Sequence, residues 1–202
     1  MKETLYDWGG INVWLFHVIN NLRSGTLDQF MLLGTALGEH TLFPVYIAIV
    51  SLLAVVAGTS SQGGDRRKRW LDVIAVFSIA YSLDGQLLGI LKPLLDFPRP
   101  LLALPPGSVH IVGIAQYHHS LPSGHSSFAM LIVASLWPVL ARSGRAAGLF
   151  FVFWVGISRV SLGAHFPADV LAGFLSSLAV VSLVSVCVQR LNRNKSARKD
   201  ID

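Results

Sequence analysis

Residues 70–92 read WLDVIAVFSIAYSLDGQLLGILK, and this stretch decides the class of fold. It is apolar almost throughout and long enough for a helix to cross a hydrocarbon layer of about 30 Å. It ends on Lys92, a cation placed where lipid headgroups would begin. Working outward, comparable apolar runs appear at 42–56, 128–141, 148–162 and 170–188. The shorter of these reach span length once their interfacial flanks are added. Residues 11–38 are less apolar, because Asn20, Asn21, Arg23 and Asp28 interrupt them. That region reads either as one imperfect span or as an interfacial helix followed by a short inserted one. The expected architecture is all-α: a polytopic transmembrane helical bundle of about six spans.

Composition agrees. Of the 202 residues 52% are hydrophobic and 13% charged, and an ordinary soluble domain carries about twice that charged share. No internal repeat or low-complexity tract argues for a second domain. Cys187 is the only cysteine, so an intrachain disulfide is impossible. The first ten residues carry acidic groups and lack a basic segment followed by an apolar one, which predicts no cleaved signal peptide.

Basic residues predict the orientation. Arg66, Arg67, Lys68 and Arg69 share one connection, Arg142 and Arg145 another, and Arg190, Arg193, Lys195, Arg198 and Lys199 the tail. With alternating helices all three clusters fall on one side, which the positive-inside rule assigns to the cytoplasm. They hold eleven of the sixteen Lys and Arg. The net charge of +5 is therefore mostly an orientation signal and argues against a nucleic-acid partner. Lys92, Arg99 and Arg159 fall on the opposite side, in two of three polar segments.

Those segments are Lys92-x6-Arg99-Pro100, Pro122-Ser123-Gly124-His125 and Ser158-Arg159-x5-His165-x3-Asp169. Ionisable groups so close to hydrocarbon are costly and ask for a function. Pro98 and Pro100 forbid helix around Arg99, holding a guanidinium suited to a two-point grip on phosphate oxygens. Lys92 adds a point charge. Taken alone, these two cations fit interfacial snorkelling at a span end better than a phosphate grip. Ser123 is placed to N-cap a helix, Gly124 lets an anion approach the backbone, and His125 sits in the first turn as a candidate acid. By itself this tetrapeptide is ordinary capping. His165 and Asp169 stand four apart, with Pro167 suited to a helix start. A carboxylate there would fix the imidazole tautomer and free the other nitrogen for attack, while Arg159 neutralises phosphoryl charge. A structural His–Asp pair and a metal site are the alternatives, although two ligands are too few for a zinc or di-metal centre.

Taken together, the three segments resemble the signature of the type 2 phosphatidic acid phosphatase superfamily, without a departure in order or internal spacing. The resemblance implies a metal-independent phosphatase without a cofactor, built as a helical bundle with its site at the outer leaflet. It implies that His165 is the nucleophile, that Asp169 orients it and that His125 protonates the leaving group. It implies also that Lys92, Arg99, Arg159, Ser123 and Gly124 bind phosphate. The partners it implies are a membrane lipid phosphate and the bilayer, with undecaprenyl diphosphate, phosphatidylglycerol phosphate and phosphatidate types as candidates. The short loops resemble those of small bacterial members, which implies the bacterial cytoplasmic membrane with the site facing the periplasm. The expected division of the single domain 1–202 is an interfacial or first-span region 1–40, a catalytic core 70–188 and a cytoplasmic tail 189–202. A phosphatase or phosphotransferase of non-lipid esters, and a non-catalytic lipid-binding protein, are the alternative functions.

Three lesser expectations remain. Residues 101–120 form a cap over the site, where Tyr117, His118 and His119 either touch a headgroup or are simply interfacial. Asp84, inside the quoted helix with Gln86, packs against a neighbouring helix rather than joining the site. Gly85 and Gly89 are spaced for close helix contact.

Overall fold

The structure is a computed structural model describing residues 6–58 and 63–199, with the side chains of 63, 65 and 195–199 excepted. The first five residues, 59–62 and 200–202 lie outside it, and the basic tail residues Lys195, Arg198 and Lys199 are described in backbone only. The helices are α1 (Ile11–Asn20), α2 (Gly25–Leu37), α3 (Phe43–Gly58), α4 (Gly63–Leu95), a single turn α5 (Pro100–Ala103), α6 (Gly124–Leu136), α7 (Arg142–Ser161) and α8 (Pro167–Lys199). No strand occurs among the described residues. The all-α expectation holds, and the protein is an integral membrane protein.

Among the described residues three helical stretches are long and apolar enough to cross a bilayer: His40–Gly58, Arg66–Ala103 and Pro167–Asn194. The quoted stretch lies inside α4, whose 33 residues extend about 50 Å, longer than a hydrocarbon layer of about 30 Å is thick. The run at 128–141 is broken, because α6 stops at Leu136. The run at 148–162 lies within α7, which begins earlier at Arg142. Residues 11–38 form two separate helices and not one span. Of the polar residues there, Asn20 is fully buried and spent on the backbone: its amide donates to the carbonyls of His110 (2.8 Å) and Ser161 (2.9 Å) and accepts from His110 N–H (2.9 Å). Arg23 pairs with Asp28 at 2.7 Å.

α6 is the central helix. Its Phe128, Leu131 and Ile132 pack against Val76, Phe77 and Ala80 of α4 and Val181 and Val184 of α8. Close approach of α8 to the start of α6 demands a glycine: a Cβ at Gly173 would meet the Ser123 carbonyl oxygen at 2.5 Å. The opposite condition holds at Gly85 and Gly89, which meet open space, so the expected close helix contact there is absent. Their face of α4, with Gln86 and Ile90, points outward.

Asp84 is fully buried and accepts hydrogen bonds from Ser127 (2.6 Å) and Ser177 (3.0 Å). It ties α4, α6 and α8 together, as a packing role requires. At the other end of the bundle Asn192 reaches Asp72 (2.8 Å), bringing the tail end of α8 beside the start of α4. The ends of α2, α4 and α7 and the starts of α6 and α8 therefore gather at the end away from the basic clusters.

Candidate active site

α7 ends at Ser161, and the chain turns back through Gly163 (φ +76°) into His165 and Phe166 before α8 begins. A Cβ at Gly163 would lie 2.4 Å from the His110 carbonyl oxygen, so the turn and the cap segment leave no room for another residue. Pro167 opens α8 as its spacing requires, and Asp169 reaches back to accept from Phe166 N–H at 2.8 Å, one half of a capping box. The same Oδ2 accepts from Ser120 Oγ at 2.5 Å and lies 3.3 Å from His165 Nδ1. Oδ1 accepts from the Tyr6 hydroxyl at 2.6 Å. Asp169 is thus fixed by three donors besides the imidazole. Burial, and then the Asp169 charge, push the Tyr6 phenol well above its ordinary range, so it stays a donor.

The other nitrogen of His165, Nε2, lies 3.1 Å from Arg99 Nη1. A guanidinium has only N–H to offer, so Nε2 holds a lone pair and the proton sits on Nδ1, facing Asp169. Burial pushes His165 down to about 3, reinforced by Arg99 and Arg159 and opposed by Asp169. The ring is neutral at physiological pH.

Arg99 is extended between its prolines, as expected, and is 7% exposed. The cap segment holds it through backbone: Arg99 N–H donates to the Tyr117 carbonyl (2.8 Å) and Nε to the His118 carbonyl (2.9 Å). The cap therefore lies over the motif, but the His118 and His119 rings face Asp96, at 3.8 and 3.2 Å. Arg159, 8% exposed, donates to Thr35 Oγ1, and its Nε is buried without an acceptor. Lys92, Arg99 and Arg159 repel one another. Three cations and an unsatisfied guanidinium donor describe a seat for an anion, and the same charge opposes a divalent metal.

Ser123 occupies the N-cap position of α6, but its side chain makes no capping bond. Its N–H donates to the Asp169 carbonyl at 2.9 Å and its Oγ accepts from Ser126 Oγ at 3.0 Å, so its own hydroxyl proton stays free. At Gly124 a Cβ would meet His40 and Leu88 only at ordinary distances of 3.5 and 3.8 Å. Protein packing does not demand that glycine, whereas backbone approach by an anion does. His125 Nε2 lies 2.9 Å from Glu39 Oε2. Its ring is within electrostatic reach of His165, Arg159 and Lys92, so the structure brings all eight expected residues to one place. A cleft of about 200 Å³ opens onto His125 and Arg159, walled by Leu32, Ile111, Val112, Ile114 and Leu162. A larger cavity of about 600 Å³, behind Tyr6 and Phe97, is lined by none of the eight.

Tyr6, Thr35, Glu39, His40 and Ser120 are the site neighbours that motif spacing does not single out. Four lie in the N-terminal region, whose irregular polarity hides them. Only Ser120, two residues before Pro122, had a positional cue.

Residues 70–193 match the PAP2 superfamily, a span containing all three polar segments. A lipid A 1-phosphatase of Rhizobium johnstonii is 31% identical over 111 residues, covering 52% of this chain and 42% of that protein. An undecaprenyl-diphosphatase of Sulfolobus acidocaldarius is 28% identical over 186 residues, covering 89% of this chain and 79% of that protein. The crystal structure of Aquifex aeolicus LpxE superposes with a TM-score of 0.71 at 24% identity, covering 86% of this chain and 94% of that one, which shows a common fold. Because the matched span is more than half of the sequence and carries every segment from which the anion seat is built, the chain belongs to the PAP2 superfamily.

Proposed function

We propose that this protein is a metal-independent lipid phosphatase that hydrolyses a phosphate ester or diphosphate of a membrane lipid through a phosphohistidine. The observation that carries the reading is the His165 imidazole: buried, neutral, with Nδ1 turned to Asp169 and Nε2 turned to Arg99 in the anion seat. In the first step Nε2 attacks phosphorus and the bond to the lipid oxygen breaks. His125 gives its proton to that oxygen, and the Nδ1 proton of His165 is shared with Asp169 as positive charge develops on the ring. Lys92, Arg99, Arg159, the Ser123 hydroxyl and the backbone at Gly124 neutralise the equatorial oxygens. In the second step water attacks phosphorus, His125 takes its proton, and the P–N bond breaks to release phosphate and neutral His165.

The apolar walls of the cleft suit the first carbons of a lipid chain beside its phosphate. Undecaprenyl diphosphate is the first candidate substrate, supported by the long alignment with an undecaprenyl-diphosphatase. A phospholipid phosphate monoester is the second. Positive-inside charge supports a site on the periplasmic face of a bacterial cytoplasmic membrane, with the basic loops and tail cytoplasmic.

The test is phosphate release from a lipid panel by purified protein in detergent with chelator present. Turnover should persist, vanadate should inhibit, and His165→Ala should abolish it. Activity lost to chelator and restored by magnesium would refute the mechanism.

A further inference from the structure

His125 has a carboxylate of its own. Glu39 lies between α2 and the 3₁₀ turn His40–Leu42, outside the span that matches the superfamily, with its Oε2 2.9 Å from His125 Nε2. Its placement is built rather than incidental. Gly38 presses its backbone against α6 and α7, where a Cβ would lie 2.6 Å from Val155 and 3.4 Å from the His125 carbonyl oxygen. His40 Nε2 lies 2.8 Å from the Gly124 carbonyl oxygen, and Thr35 accepts from Arg159. Residues 38–40 therefore meet the start of α6 at three consecutive positions, and Thr35 ties the same segment to the end of α7.

The charges around His125 explain what such a carboxylate would do. Arg159 from α7, Lys92 from α4, His165 from the turn before α8 and His40 from the 3₁₀ turn all lie within electrostatic reach of it. Every one of these is a cation or a potential cation, and Glu39 is the carboxylate in hydrogen-bond contact among the described residues. A leaving-group acid must hold a proton in this company. With Nε2 held by Glu39, Nδ1 is left for the leaving oxygen, the mirror of His165, where Nδ1 faces the carboxylate and Nε2 faces the phosphate seat. The Glu39 side chain is 47% exposed against 21% for His125, so it also joins the buried ring to water.

We infer that Glu39 is the positioning residue for the acid His125, fixing its ring through Nε2 and exchanging its proton with solvent at the mouth of the cleft. The role rests on the phosphatase reading. It also carries a substrate consequence. An alkoxide is a much stronger base than a phosphate, so the pair matters most for monoesters, whose leaving group is an alcohol, and least for diphosphates, whose leaving group is a lipid phosphate.

The test compares wild type, Glu39→Gln and Glu39→Asp in detergent on a long-chain alkyl phosphate and on 2,4-dinitrophenyl phosphate, whose leaving group needs no proton. For Glu39→Gln, kcat/KM on the alkyl ester should fall about 10- to 100-fold, a part of the usual worth of general acid catalysis. The fall on the dinitrophenyl ester should stay within about threefold, since acid assistance contributes little there. The basic limb of the alkyl-ester pH profile should move to lower pH, and Glu39→Asp should recover part of the loss. Should the glutamine variant fail to accumulate, the aspartate variant must show the same split between substrates. Equal losses on both esters, or none on either, overturn the role while leaving the phosphatase reading standing. A wild type inert toward both esters but active on undecaprenyl diphosphate overturns the role alone, and one inert toward all three overturns the phosphatase reading and this role with it.

Discussion

Asp169→Asn separates the charge of this carboxylate from its geometry. An amide placed at random could turn its NH₂ toward His165 and reverse the tautomer, a change known to cost about 10⁴-fold in a serine-protease triad. Here the neighbours choose the orientation. Oδ2 accepts from Phe166 N–H and Ser120 Oγ, and the backbone N–H can only donate, so the amide oxygen must stay there. The NH₂ then falls at the Oδ1 position, facing Tyr6, whose hydroxyl can rotate from donor to acceptor. The Nδ1–H tautomer survives and only the charge is lost. Replacing a charge-assisted contact to the developing imidazolium by a neutral one removes about 1–1.5 kcal/mol, and hence about 5- to 13-fold in kcat. Asp169→Ala instead strands three buried donors and should cost stability at about 1–3 kcal/mol each, before relaxation. The assay is steady-state phosphate release with thermal unfolding of each variant in the same detergent. A loss near 10⁴-fold in the asparagine variant, or no loss, would refute this account of how the imidazole is held.

Three other outcomes follow from the same geometry. Gly124→Ala should keep its fold, since its Cβ meets only ordinary contacts, but should weaken inhibition by inorganic phosphate and raise KM. Gly173→Ala should do the reverse in kind, losing stability first by about 1–3 kcal/mol, because its Cβ collides with the Ser123 backbone and must push α8 from α6; thermal unfolding reads it. His165 is held down to about 3 when folded, so below about pH 6.5 the unfolded chain binds a proton that the folded one does not. Its contribution to stability is complete above that pH and is lost as pH falls toward 3. Unfolding midpoints measured from pH 7.5 to 4.5 should show a steeper decline in the wild type than in His165→Gln.

The motifs were legible because each spacing is local. His165 and Asp169 are one helical turn apart, Arg99 lies between two prolines, and Gly124 follows an N-cap position, so chain stiffness alone sets their relations. Alternating basic loops then placed the three segments at one end of the bundle. Asp84 was legible as packing for a similar reason, since a lone carboxylate deep in a span needs hydroxyl partners, and Ser127 and Ser177 are those partners. Helix ends were less so: α6 stops at Leu136 although the apolar run continues, because hydropathy records solvent preference and not backbone hydrogen bonding.

Sequence by itself determined the class of fold, the end of the bundle where the candidate site lies and the eight residues that gather there. Only the tertiary structure decided which partners complete them. Tyr6 is 163 residues from Asp169 and Glu39 is 86 from His125, so no periodicity links either pair. Hydrophobic pattern and local spacing act within one or two helical turns. A carboxylate or phenol supplied from a distant segment depends on how the helices cross, and that is settled by close contacts such as Gly38 against Val155 and Gly173 against Ser123, which a linear pattern does not contain.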